Sequence, residues 1–482
     1  MVSGGAALAI TFAALALFAA IGVVAARRLG AADRDRYLTA RGSQGAGALA
    51  LSFFASALGT WILFAPPEVG TFGGLLGILG YAVGQATAIA IFAWLGPRVL
   101  ERMPEGSTIL GWVGERFGTA ARVVVGVVSV SYMFIFLTAE LTAIGGVLAL
   151  LAGTDPLVPV VAVAAATAAY TAYGGLPASV ATDRWQAWLV LAFLAVAAAA
   201  VVAGSGSPVE ELREGGAGSV TGLGAETFVV LFLAIVAANL FHQGFWQRVW
   251  AARDRRVLTR GALGGAAIIL PVVLVTGLAG AMAAGSGRAD PPSLAFFALL
   301  GELPGPALWV VVGLAVALVA STTDTLQNGL ASLVATDLGA RRLSLGTARW
   351  VTVALTVPGA AIAVQGYSVL RLFLIADLLA AAIAAPVFLG LWRRATSAGV
   401  LAGAAAGVAG VVAAGWLATG SATEGLRLLT LPPDLLDLRL EAFVAAAAAS
   451  AVVSTLVALL SRPEAERSPS ARRAARTRRS SR

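Results

Sequence analysis

Cysteine is absent from the 482 residues, which excludes disulfides, thiol nucleophiles and cysteine-ligated metals. Lysine is absent too, so all 33 basic residues are Arg. The only histidine is His242, so paired-histidine zinc motifs cannot be built. Charge of either sign is scarce: 12% of residues are charged and 59% hydrophobic, with a mean hydropathy of +0.88. A soluble domain carries about 25% charged residues. The composition is that of an integral membrane protein.

What the sequence has in abundance is apolar runs. Thirteen are long enough to cross a hydrocarbon core, which takes about 20 helical residues. They cover 5–26, 47–70, 73–97, 121–152, 156–174, 182–205, 226–250, 261–284, 306–337, 346–366, 368–391, 397–419 and 440–461. We expect the first to be a span and not a signal peptide, because Arg27 and Arg28 follow the apolar stretch instead of preceding it. The 56 glycines suit close helix approach in lipid.

The net charge of +8 and a pI near 10.8 invite a nucleic-acid reading, but the placement of the Arg residues argues for membrane topology. With the N-terminus outside, 28 Arg fall in inner segments against four outside, Arg213, Arg288, Arg427 and Arg439, while Arg371 stands at a helix start. Positive charge is retained on the cytoplasmic side during insertion. We therefore expect a multi-pass protein of the cell membrane with its N-terminus out and C-terminus in. The Arg-rich tail is then a cytoplasmic anchor for anionic lipid, with no nucleic-acid partner.

Two runs carry residues unsuited to a plain span. In the second, Ala55-Ser56-Ala57-Leu58-Gly59-Thr60-Trp61 precedes Pro66-Pro67-Glu68; in the seventh, Asn239-Leu240-Phe241-His242-Gln243-Gly244 puts polar groups at membrane depth. Backbone freed from helical bonding is tolerated there only inside protein or beside a cavity. The two interruptions lie five spans apart, each opening a five-span set, and an odd number of spans inverts the second set relative to the first. That is the pattern of secondary transporters whose broken helices meet at the midplane. The domain expectation follows: 1–46 an extra helix and loop, 47–205 repeat one, 206–225 an outer loop, 226–391 repeat two, 392–461 two further helices, 462–482 the basic tail.

In the ninth span, Ser321 and Thr322 lie three and four positions after Leu318, so their hydroxyls share a helical face with the Leu318 carbonyl. A lone hydroxyl there would simply bond back to the preceding turn. Adjacent hydroxyls, together with carbonyls of the unwound second span, offer the neutral oxygen ligands that a hard, exchangeable cation such as Na⁺ favours.

These features, with Tyr173-Gly174-Gly175-Leu176, Thr182-Asp183-Arg184-Trp185-Gln186, Thr108-Ile109 and Arg116-Phe117-Gly118, resemble the solute:sodium symporter family, which includes bacterial proline and sodium/glucose symporters. The resemblance covers about residues 47–400. It implies an all-α integral membrane fold of about 13 transmembrane helices, built as a five-plus-five inverted repeat like that of the leucine transporter, with discontinuous helices. It implies a Na⁺ site formed by the carbonyls of Ala55, Leu58 and Leu318 and the hydroxyls of Ser321 and Thr322. Asp183 matches a carboxylate for Na⁺ exit or a second Na⁺ site; the alternative is an interfacial Asp paired with Arg184. The segment Asn239–Gln247 resembles a substrate-binding stretch of sugar symporters, with His242 where a gating Tyr stands. Where proline symporters carry an Asp, this chain has Ala57, and where sugar symporters carry a Gln ligand it has Ile62, so neither proline nor a monosaccharide is indicated.

Glu140 and Asp377 are ionisable groups inside spans, each costing about 2.5–3.5 kcal/mol on insertion scales at the centre unless paired or wetted, and so are candidate functional groups. The expected substrate-binding set is Asn239, His242, Trp61, Glu140 and Asp377. No enzyme constellation is present. The reading is Na⁺-coupled symport of a small polar organic solute, an amino acid, carboxylate or urea-like amide, by alternating access. Proton coupling through His242 or Glu140 is the alternative, with a transporter-like sensor behind it.

Overall fold

The apolar runs fold as helices, because backbone polar groups at membrane depth must be satisfied within the chain. The computed structural model describes residues 3–29, 34–300, 305–334, 344–429 and 440–461. The expectation for the tail 462–482 lies outside the described residues. We label the principal helices α1 (Gly4–Leu29), α2 (Ala46–Ala57), α3 (Ala65–Phe72), α4 (Gly74–Ala90), α5 (Phe92–Arg102), α6 (Thr119–Ala152), α7 (Leu157–Gly204), α8 (Gly222–Asn239), α9 (Gln243–Ala251), α10 (Arg255–Gly285), α11 (Gly305–Leu333), α12 (Leu345–Ala363), α13 (Val369–Phe388), α14 (Ser397–Thr419) and α15 (Leu440–Leu460).

Among the described residues, ten helices are long and apolar enough to cross a membrane, or eleven when the bent pair Ala46–Ala57 and Thr60–Phe72 counts as one span. One of the ten, α7, merges two of the expected spans, and its 48 residues are broken at Gly175 (φ 58°, ψ −150°). Gly175 takes the left-handed region, and a side chain there would also run into Tyr37. The Tyr173–Leu176 motif is thus a turn between two spans, held by the Tyr37 hydroxyl, which reaches the carbonyls of Thr171 and Ala172.

Both expected interruptions are present. After α2, Leu58 and Gly59 are extended, and a short 3₁₀ turn, Thr60–Leu63, leads into α3 at a bend of 62°. Pro66 and Pro67 stand in the first turn of α3, where a missing N–H costs nothing. Between α8 and α9, His242 is extended and the helix restarts at Gln243.

Around these breaks, α11 forms the centre and packs against α7, α6 and α2, while α10 lies along α2 and α3. Small residues permit the closest crossing: a Cβ at Gly280 would overlap the Pro67 carbonyl, and one at Gly70 the Gly277 carbonyl. Helices α14 and α15 pair at the periphery. Large apolar side chains such as Trp188, Trp350 and Leu417 face outward, as lipid contact requires.

Candidate functional site

The break after α2 leaves the carbonyls of Ala55 and Leu58 outside regular helical bonding, and α11 brings hydroxyls to both. Ser321 Oγ lies 3.2 Å from the Ala55 oxygen, and Thr322 Oγ1 lies 3.0 Å from the Leu58 oxygen. All four residues are buried, and Leu318 stands one turn earlier on the same buried stretch of α11. Each hydroxyl has one hydrogen, which Ser321 shares between Ala55 and Asp183, and two lone pairs able to act as ligands. Two hydroxyl–carbonyl pairs thus join elements some 260 residues apart in sequence. The group suits a small alkali cation.

Beside it lies a buried polar network. Asp183 pairs with Arg248 at 2.7 Å, both side chains being fully buried. Asp183 also accepts from Ser52 at 2.6 Å and from Ser321 at 3.2 Å, while Arg248 reaches Ser52, Thr325 and the Gly244 carbonyl. The partner of Asp183 is therefore Arg248 of α9, not the adjacent Arg184, whose residue is exposed. An isolated charge at this depth would be costly, and the pair with its hydroxyl neighbours is the arrangement that offsets it. Asp324 is held in turn by Tyr170 at 2.7 Å, Ser179 at 2.7 Å and Thr182 at 3.1 Å. Arg248 and Asp324 were both accessible as ionisable residues inside apolar runs, the same signal that picked out Glu140 and Asp377.

A cavity of about 30 Å³ opens between α2, the following 3₁₀ turn, α4, α6, α8 and α13. Three of the expected substrate residues, Trp61, Asn239 and Asp377, line it. With them stand Tyr81, Gln85, Tyr132, Phe136 and Phe373, which the sequence reading missed because they are single residues scattered over three helices. The volume admits about two water molecules, so an organic solute requires the surrounding helices to move.

The other two expected residues stand behind this wall. The His242 ring stacks on Phe245 at 4.6 Å and meets the edges of Phe136 and Tyr132, with neither nitrogen hydrogen-bonded among the described residues. Glu140 accepts from the Thr60 backbone N–H at 2.7 Å and presses against Gly59. It satisfies a donor orphaned where the chain leaves the helix, as a capping carboxylate does. Groups of three or more His, Cys, Asp and Glu residues able to hold a metal are absent among the described residues.

Comparison with known proteins shows the fold and the family. A spermidine transporter of Candida albicans, DUR31, is 31% identical over 415 residues, 83% of this chain and 79% of that protein. Among solved structures, a Na⁺-coupled sialic acid symporter in a substrate-bound outward-open state superposes with a TM-score of 0.75 at 16% identity, over 95% of this chain and 98% of that one. The nucleobase-cation-symport-1 transporter Mhp1, closed on bromovinylhydantoin, gives 0.60 at 16% identity over 90% and 97%. The shared fold is the five-plus-five inverted repeat with discontinuous helices. The profile of the sodium:solute symporter family matches residues 37–407, and the chain belongs to that family.

Proposed function

We propose that this transporter couples the inward movement of Na⁺ to that of a small polar organic solute by alternating access. The observation that carries this reading is the convergence of the Ser321 and Thr322 hydroxyls on the Ala55 and Leu58 carbonyls. Na⁺ there replaces two donated hydrogens by one shared cation and ties the α2 break to α11. Binding thereby stabilises one arrangement of the bundle over another, which is what coupling requires. Inward Na⁺ movement is downhill by about 2.3 kcal/mol per 100 mV of membrane potential. The solute occupies the cavity beside Trp61, Asn239 and Asp377 once the aromatic wall parts. The amine cargo of the Candida relative adds nitrogenous solutes to the amino acids, carboxylates and amides considered above.

Asp183 lies on the inner side of the cation site in this reading. Arg248 already supplies the positive charge that a second Na⁺ would bring, which favours the Na⁺-exit role for Asp183. We assign repeat one to 47–205 and repeat two to 226–391, the N-terminus to the outside and the C-terminus to the cytoplasm of the cell membrane.

The test is Na⁺-dependent stabilisation and uptake in proteoliposomes. The paired change Ser321→Ala and Thr322→Ala is expected to abolish the Na⁺ response and to leave the fold intact, with choline as the control cation. Full Na⁺-driven uptake by that variant refutes the site. Uptake that follows a proton gradient and ignores Na⁺ favours the proton-coupled alternative.

A further inference from the structure

Asp377 is 6% exposed, lies on α13, and lines the cavity. It makes no hydrogen bond or ion pair with any described residue. The buried guanidinium of Arg248 is committed to Asp183. Half of the lining residues of that cavity are a run of rings, beside Gln85 and Asn239: Tyr81 stacks on Trp61 at 5.5 Å, Trp61 meets Phe373 at 6.2 Å, Phe373 meets Phe136 at 4.7 Å, and Phe136 meets Tyr132 at 5.9 Å. An acid without a partner at membrane depth calls for a cation. The collar decides which kind. A strongly hydrated alkali ion wants a shell of oxygens, whereas aromatic faces suit a weakly hydrated organic cation.

We propose that the solute is an organic amine cation, whose ammonium group pairs with Asp377 inside this aromatic collar. The inference rests on the transport reading and deepens it, because it removes carboxylates and neutral amides from the solute class. A carboxylate would meet Asp377 as a like charge. A neutral amide would leave the acid without a counter-ion.

The experiment uses the full-length protein, purified and reconstituted, with spermidine, urea and lactate as probes in Na⁺ buffer. Binding is followed by thermal shift and by the fluorescence of cavity residue Trp61 against the remaining tryptophans. Spermidine is expected to bind saturably, and urea and lactate not to bind. Asp377→Asn is expected to weaken spermidine binding by at least about tenfold, while Asp377→Glu retains most of it. The Na⁺-induced thermal shift persists in both variants and reports that they are folded. Equal binding of urea or lactate, no binding of spermidine, or an unchanged spermidine affinity in Asp377→Asn overturns the proposal. The two readings fail separately. Na⁺-driven uptake of urea leaves symport standing and removes the amine assignment. Spermidine transport that needs Asp377 but ignores the Na⁺ gradient does the reverse.

Discussion

The contacts that matter most at the scale of single residues are between groups with little in common but depth. Asp183 and Arg248 are 65 positions apart and meet at 2.7 Å, sealed from solvent. Removing one partner leaves an uncompensated buried charge, a loss of about 3–5 kcal/mol. Arg248→Met is therefore expected to lower the unfolding midpoint sharply in detergent, and Asp183→Asn added to it to recover much of the loss. A double variant no more stable than the single one argues that Arg248 acts through Ser52, Thr325 and Gly244 instead. The sequence showed Asp183 beside Arg184, and nothing in one chain of letters said which Arg would turn inward. By contrast Ser321 and Thr322 could be read directly, since adjacent hydroxyls in an apolar helix are already conspicuous. His242 was conspicuous for the same reason, yet its ring is turned towards Phe245, a direction set by packing.

At the scale of elements, the breaks after α2 and α8 were legible because helix-incompatible groups cluster there: Leu58-Gly59 followed by Pro66-Pro67, and Asn239 with His242. What replaces the lost hydrogen bonds was not legible. Glu140 arrives from α6, 80 residues away, to accept the Thr60 N–H. The half-helix α3 comes closest to α10 at glycines, with the Pro67 carbonyl seated on Gly280. Gly280→Ala is expected to cost about 1–3 kcal/mol of stability through overpacking and to slow transport. Gly5→Ala, where a methyl group meets nothing within 4 Å, is the matched control and is expected to leave both unchanged. A transport rate for Gly280→Ala equal to that of the control would show that α3 and α10 separate without resistance.

At the scale of the whole molecule, the orientation is testable with unusual cleanliness because the chain has no cysteine. Ser207→Cys, in the expected outer loop, should react with an impermeant maleimide on intact cells, and Arg253→Cys, in an inner connection, only after permeabilisation. The opposite labelling inverts the topology and with it the direction of Na⁺ movement. Hydrophobic length, helix-breaking residues and the bias of Arg along the chain determined the class of protein, the placing of its spans and the two interruptions, because each depends on composition over a local window. The meeting of Ser321 and Thr322 with the α2 carbonyls, the Asp183–Arg248 pair and the aromatic collar around Asp377 were decided only by tertiary structure. Those contacts join residues far apart in sequence, and the relative rotation of packed helices that brings them together is set by the side-chain surfaces of all the neighbours at once.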